Sequence, residues 1–535
     1  NKMILLLGLL CSIWGKPDLC LGEPVESISY FLIKRDIKQV VMDTKNLYAV
    51  TTNATTETLH QLLHNLTPIQ NRTLKGFDYV LLPFVKNDTL ISCGVTDHKL
   101  CSFCEILDLN NISKILHSEH VQVGPQRRGN GSVSFLVDVK KDSAETETYI
   151  LTAIQNHRDK TEENRCATDL NTINLYSTGL TGEIFSWSDQ GSNKTGLQTE
   201  ADVEFVDGFQ INSTVYLFSN VASGAKANKV RLIWLQAETN KAQTLKSLRG
   251  ATLSTSDGGE GSRLLASSVI PGGQPLLWSG VFSLDGGQIN THLLLFDISP
   301  DSSKRTYRDP DFYSSVDKPD NPSEPGILKP KKVLFKKKYM SSVLVVRQDS
   351  WMVFFIGTTN GVLIKLAVDK NNVPACPEEL YRASRSQKEL PKTHLDPVDR
   401  KYVYLQSKDQ IIHIPVSKCN VYKNVKDCCT AQDPYCVWCY SERRCTFKDD
   451  CKGTEWLSIP DESHQEVVSH RSVNDNTGKV KVVVQVHLTV TQKLQSKFSC
   501  QITTTFGQLC RPNGPQPQYP QCTCILADAL TTTGQ

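Results

Sequence analysis

Residues 351–368 read WMVFFIGTTNGVLIKLAV: two apolar runs, 351–356 and 362–368, on either side of one short polar break. Both runs are short and rich in β-branched and aromatic residues, as strands are. Asn360-Gly361 between them supplies the positive φ angles that a tight hairpin turn needs. This is the clearest hairpin in the chain, and the texture around it repeats the same form.

Outward from it, from about residue 26 to 418, short strand-like runs alternate with Gly, Asn, Asp and Ser. KQVVMDTKNLYAVTTN (38–53), FDYVLLPFVKNDTLISCG (77–94), SVSFLVDVKKDSAETETYILTAI (132–154), VEFVDGFQINSTVYLFSNV (203–221) and PLLWSGVFSLDGGQINTHLLLFDI (275–298) are all strand-turn-strand units. Long amphipathic helices are nearly absent. So many strands exceed an ordinary sandwich, and radial repetition of small sheets protects their edges, so an all-β fold built on a β-propeller is expected. The units share no fixed-period motif, so periodicity does not give the blade number. Residues 309–326, DPDFYSSVDKPDNPSEPG, are polar and proline-rich and read as a surface loop or insertion. The stretch 327–339, ILKPKKVLFKKKY, holds six lysines around Val333, Leu334 and Phe335. It reads either as a solvated edge strand guarded by lysines or as a patch for a glycosaminoglycan or acidic partner.

The chain has 535 residues, with 39% apolar and 21% charged, which is globular material. Its 59 basic and 56 acidic residues leave +3, so no nucleic-acid partner is expected. Lys2 followed by the apolar run 3–14 and Gly15 has the outline of a secretory signal peptide, assigned to residues 1–22. No later stretch approaches the length of a spanning helix, so the chain as given is expected to be extracellular without its own anchor. Eight N-x-S/T sequons, at Asn53, Asn65, Asn71, Asn87, Asn111, Asn130, Asn193 and Asn212, all precede residue 215. They are candidate glycosylation sites on one face of the first half. After an export signal, the 18 cysteines are read as disulfides rather than thiols.

Seven of those cysteines fall between Cys419 and Cys451. Such density staples a module too small to bury a core. A zinc site needs its thiolates grouped in fours, and only Cys436 and Cys439 have knuckle spacing. A redox C-x-x-C opens a helix after a strand, a context missing here. A disulfide knot is therefore expected. No G-x-S-x-G, H-E-x-x-H or P-loop occurs, and the 12 histidines are scattered. His413, between Ile412 and Ile414, reads as a solvent-facing or hydrogen-bonded strand residue. No catalytic residue, cofactor, metal ligand or small-molecule substrate is expected.

The knot also carries a family signature. DCCTAQDPYCVWC (427–439) followed by RRC (443–445) resembles the plexin-semaphorin-integrin (PSI) module. VFFIGTTNGVLIKLAV (353–368), with Lys365, resembles a late blade of sema domains, and KYVYLQSKDQIIHIPVSKC (401–419) resembles the last sema strands. LISCGVTDHKLC (90–101) resembles an early sema hairpin. Within this superfamily the strands are most similar to plexin or growth-factor-receptor strands, and a plexin ectodomain, as of a divergent C-type plexin, is the first choice.

The resemblance implies a seven-bladed sema propeller at 23–418 and a PSI module at 419–460. Residues 461–535 would begin an incomplete immunoglobulin-like (IPT/TIG) sandwich. It implies knot bridges Cys419–Cys436, Cys428–Cys445 and Cys439–Cys451. The family's second and eighth knot cysteines are missing, so one bridge is lost and Cys429 is left to seek a distal partner such as Cys500. By spacing Cys93 pairs with Cys101, with Cys104 as the alternative. The implied function is binding a semaphorin at the cell surface in guidance, adhesion or immune signalling, with the membrane reached only through C-terminal regions of a parent receptor. A secreted semaphorin-like ligand or a soluble decoy is the competing expectation.

Overall fold

In the computed structural model, the described residues are 29–33, 35–96, 101–121, 123–125, 132–140, 145–155, 172–179, 184–185, 196–222, 228–237, 240–255, 261–284, 287, 289–300, 309–314, 326–383, 392–453, 455–458, 468–474, 480–496, 502–503, 509–510 and 519–525. The expected signal peptide lies outside them. No helix among them is long and apolar enough to cross a membrane.

Seven sheets, antiparallel except for one added parallel strand in the fourth, follow one another along the chain. Blade 1 comprises Asp36–Met42, Asn46–Thr52, Glu57–Leu63 and Pro68–Thr73, and blade 2 runs from Phe77–Phe84 to Ile115–Glu119. Blade 3 starts at Ser132–Lys140, blade 4 at Asp202–Ile211 and blade 5 at Arg263–Val269. Blade 6 runs from Met340–Gln348 to Glu378–Arg382, and blade 7 from Lys392–Leu395 to Gln410–Pro415. The first strands of successive blades lie side by side, the arrangement of a propeller. Ser29–Leu32 closes the ring by pairing with Gln410–Pro415 as the outer strand of blade 7.

The strands form where the apolar runs lie because each blade is buried on both faces between its neighbours. In blade 6, every residue of Trp351–Thr358 and Val362–Val368 is buried. Their hairpin differs in detail from the expected turn, since only Gly361 has a positive φ, of 83°. Thr358 takes over the closure: its carbonyl accepts from Gly361 N–H and its hydroxyl from Val362 N–H.

Within 309–326, the described residues 309–314 and 326 also differ from a plain surface loop. Phe312 is fully buried, Tyr313–Ser314 adds a strand to the edge of blade 3, and Asp311 pairs with the buried Arg231 at 2.7 Å. The next strand, Gly326–Leu328, pairs in parallel with Arg249–Leu253 of blade 4 before Lys332–Lys338 completes blade 5. One excursion thus ties the outer edges of three blades. The lysine-rich stretch is an outer edge strand.

Cys93 is bonded to Cys104, not to Cys101. The hairpin register explains it: Cys93 lies directly opposite Cys104 with Cα atoms 4.1 Å apart, while Cys101 lies opposite Thr96 at the far end. Mapping after chymotryptic cleavage at Phe103, which separates Cys101 from Cys104, is expected to recover Cys93 linked to Cys104; a Cys93–Cys101 link would contradict this register.

Two histidines make the fold acid-sensitive. His60 and His394 are each pushed down to about 4 by burial, with the nearby positive charges Arg35 and Lys392 adding to it. The unfolded chain therefore binds more protons below its ordinary histidine pKa of about 6.5, so stability falls as pH drops from about 6.5 towards 4. His394→Gln is expected to flatten that loss in urea titrations at pH 7 and pH 4.5.

Beyond the ring, Cys436–Cys439 pairs with Arg444–Phe447 and Trp456–Ser458 in a small sheet. A three-stranded sheet of Val468–Asn474, Val480–Val486 and Gln521–Ile525 follows.

Candidate interaction surface and the knot junction

The knot residues come together as three bridges: Cys419–Cys436, Cys428–Cys445 and Cys439–Cys451. Cys436 and Cys439 thus bond to different partners, so they are neither a zinc knuckle nor a redox pair. Cys429, on the short helix Val425–Thr430, is a buried free thiol instead of half of a distal bridge. It packs among Trp438, Leu488, Val490 and Leu494, and burial pushes its thiol up to about 11. Cys500 lies outside the described residues. Cys429 is expected to resist maleimide in the native protein at pH 7.5 and to react within minutes in guanidinium.

The propeller and knot meet at a buried charge. Lys365 sits in the middle of Val362–Val368 with its side chain only 3% exposed, and its ammonium lies 2.5 Å from Asp433 Oδ2. Glu378 Oε2 at 3.3 Å and the Val416 carbonyl at 3.0 Å complete its shell. Burial works to lower the Lys365 pKa, but the Asp433 and Glu378 carboxylates outweigh it and hold the ammonium above its usual range. Asp433 Oδ2 also accepts from the Ser417 hydroxyl, and Oδ1 accepts from Tyr435 N–H at 3.0 Å. Tyr435 enters the core between blades 6 and 7. Lys401–Asp450 at 2.5 Å and Lys448–Asp349 at 3.4 Å flank the contact. The Asp-Pro-Tyr-Cys of the knot is therefore a plug in the propeller. Sequence reasoning singled out Lys365 and this tetrapeptide but did not join them; the signal was a lone lysine in an otherwise apolar strand, which requires a counter-charge.

The sequons fall unevenly on the ring. Asn87 and Asn212 lie in turns joining first to second strands, and Asn65 and Asn111 in turns joining third to fourth. In an antiparallel blade these turns share one face. All four are exposed. Asn53 is exposed at the opposite face, and Asn71 lies on the outer strand of blade 1. Asn130 and Asn193 lie outside the described residues. Lys401 and Asp349, which meet the knot, occupy the first-to-second turns of blades 7 and 6. Glycans on the four sequons would thus share a face with the knot. The other face holds only Asn53 among the described sequons, beside a polar cleft of about 400 Å³ lined by Arg35, Lys38, Glu57 and Asp78.

A propeller closed by its N-terminal strand and joined to a three-bridge knot is a fold shared with plexin and semaphorin extracellular regions among solved structures. The chain is similar to plexins in its sequence and in its fold. Residues 418–469 match the PSI (plexin repeat) family model. Human plexin-C1 is 30% identical over 275 residues, covering 48% of this chain and 17% of its own. Mouse plexin-C1 is 28% identical over 425 residues, 73% of this chain and 26% of its own, so the chain spans about a quarter or less of these relatives. Among solved structures, the plexin A4 full extracellular region aligns over 94% of this chain and 58% of its own, with a TM-score of 0.61 at 15% identity. Drosophila Plexin A in complex with Semaphorin 1b aligns over 82% and 97%, with a TM-score of 0.54 at 13% identity.

Proposed function

We propose that this chain is the ligand-binding region of a plexin-type receptor, taking a semaphorin through its propeller and oriented by the knot. The reading is supported above all by the match to plexin-C1 across 425 residues, joined to a fold likeness to the plexin A4 full extracellular region and to the complex of Drosophila Plexin A with Semaphorin 1b. The domain limits set out from the sequence, with a signal peptide at 1–22, belong to this proposal, as do use of the sequons and the extracellular location. In it the chain binds and does not catalyse, and the surface it offers is broad and rigid rather than a substrate pocket. A second reading, a semaphorin-like ligand or decoy, is favoured by a fold likeness to Drosophila Semaphorin 2a that covers 96% of both chains at a TM-score of 0.55.

Immobilised protein exposed to a semaphorin panel and a plexin panel separates the two. Saturable binding to a semaphorin is expected. Binding to plexins alone would reverse the assignment.

A further inference from the structure

Between Glu324 and Asp349 the chain has no acidic residue but six lysines, Lys329, Lys331, Lys332, Lys336, Lys337 and Lys338, and Arg347. Within a chain of net charge +3 that is a strong local imbalance. The fold lays this segment along the circumference of the ring, from the outermost strand of blade 4, Gly326–Leu328, to that of blade 5, Lys332–Lys338. Leu334 is buried and Val333 and Phe335 are half-buried, which anchors the strand. Lys329, Lys331, Lys336 and Lys338 are exposed. None of the six lysines forms an ion pair among the described residues, whereas Lys86, Lys114, Lys401 and Lys448 all do. By register the carboxylate on the neighbouring strand, Asp297, lies beyond Leu295, the partner of Lys332, and it accepts from Ser299 N–H.

Guarding a sheet edge does not account for this. The outermost strands of the other blades, Pro68–Thr73, Ile115–Glu119, Tyr313–Ser314, Gly326–Leu328, Glu378–Arg382 and Ser29–Leu32, face the same need, carry no lysine and have at most one arginine each. The blade 5 edge is different in kind. At about 3.3 Å per residue, Lys329 to Lys338 spans roughly 30 Å of perimeter. A row of flexible ammonium groups suits a linear, repeating polyanion rather than a folded protein face. No sequon occurs after Asn212, so glycans attached to this chain start from blades 1 to 4.

We propose that the outer edge of blade 5, with Lys329, Lys331, Lys336 and Lys338 as its contacts, docks a sulfated glycosaminoglycan. The proposal rests on the extracellular reading above. It adds a second ligand of a different chemical class from the semaphorin.

The test is retention of the full chain on immobilised heparin, with unsulfated hyaluronan and an acidic polyglutamate as comparison probes. The Lys329→Gln, Lys331→Gln, Lys336→Gln, Lys338→Gln quadruple variant is compared with a control variant. That control carries glutamine at the exposed Lys45, Lys140, Lys426 and Lys452, which removes equal charge elsewhere. At 150 mM salt the blade 5 variant is expected to lose about 10- to 100-fold in heparin affinity, with a shallower salt dependence, while the control variant changes less than about threefold. Three results would overturn the proposal: no heparin binding by the parent chain, equal losses in both variants, or polyglutamate binding as tight as heparin. Semaphorin-panel binding is measured on the same samples. If that binding persists while heparin fails, only the glycosaminoglycan site is lost; if heparin binds and no semaphorin does, it is the receptor reading that falls.

Discussion

Lys365→Met is expected to destabilise the propeller–knot unit by about 3–5 kcal/mol, because it leaves Asp433 ionised, buried and without its cation. Asp433 is only 3% exposed, so water does not replace the lost ammonium. The Ser417 hydroxyl and the Tyr435 amide remain as donors, and they are too weak to hold a full charge in a dry junction. Lys365→Met combined with Asp433→Leu removes both charges and is expected to recover much of the loss, since apolar replacement of a complete buried pair is often neutral. Urea midpoints of the parent, both single variants and the double variant make a thermodynamic cycle. A strictly additive cycle would show that the two groups do not depend on each other. The pH behaviour is fixed in sign as well. A lysine whose folded pKa is raised contributes fully below its unfolded value of about 10.4 and loses that contribution only as pH climbs through the folded value. The junction is therefore expected to hold constant strength from pH 6 to 9.

Trp278→Ala carries the second large effect, again about 3–5 kcal/mol. Trp278 has no exposed surface and stacks on Phe218 at 4.2 Å with an interplanar angle of 3°. Phe282 and Phe296 close around it at 6.2 and 5.7 Å. Because Phe218 belongs to blade 4 and the others to blade 5, the cluster fastens one blade to the next. Trp278→Phe is expected to cost much less: it keeps an aromatic ring in the stack and deletes a buried indole N–H that finds no acceptor among the described residues. Similar midpoint shifts for both substitutions would mean that stacking is not what joins these blades.

Much of the architecture was legible because burial on both faces of a blade leaves long apolar runs, as in 351–368. The knot was legible because its cysteines are dense and its Asp-Pro-Tyr-Cys is distinctive. What escaped was anything set by register or by distant partners. Cys101 and Cys104 are both plausible mates for Cys93 until the hairpin is aligned residue by residue. Phe312 lies in a proline-rich, polar setting that looks like surface, and it is distant partners, Phe205 against its ring and Arg231 paired with Asp311, that draw the segment inward. Lys365 and Asp433 are separated by 68 residues, and no local pattern links a strand lysine to a turn aspartate across a module boundary. The lysine edge was visible as a cluster; its singularity emerged only when the other blades' outer strands were laid beside it.

The strand Ser29–Leu32 has a consequence in time. It precedes every blade on the chain, yet its pairing partner, Gln410–Pro415, follows nearly all of them. During synthesis it must wait, unpaired, while six complete blades and most of a seventh emerge behind it. Tyr30 and Leu32 remain 62% and 54% exposed even after docking, so the waiting strand has little side-chain burial to gain before its hydrogen-bonding partner arrives. The ring is thus completed by its oldest segment meeting one of its youngest, a high-contact-order step that makes an intact strand a checkpoint for the whole propeller.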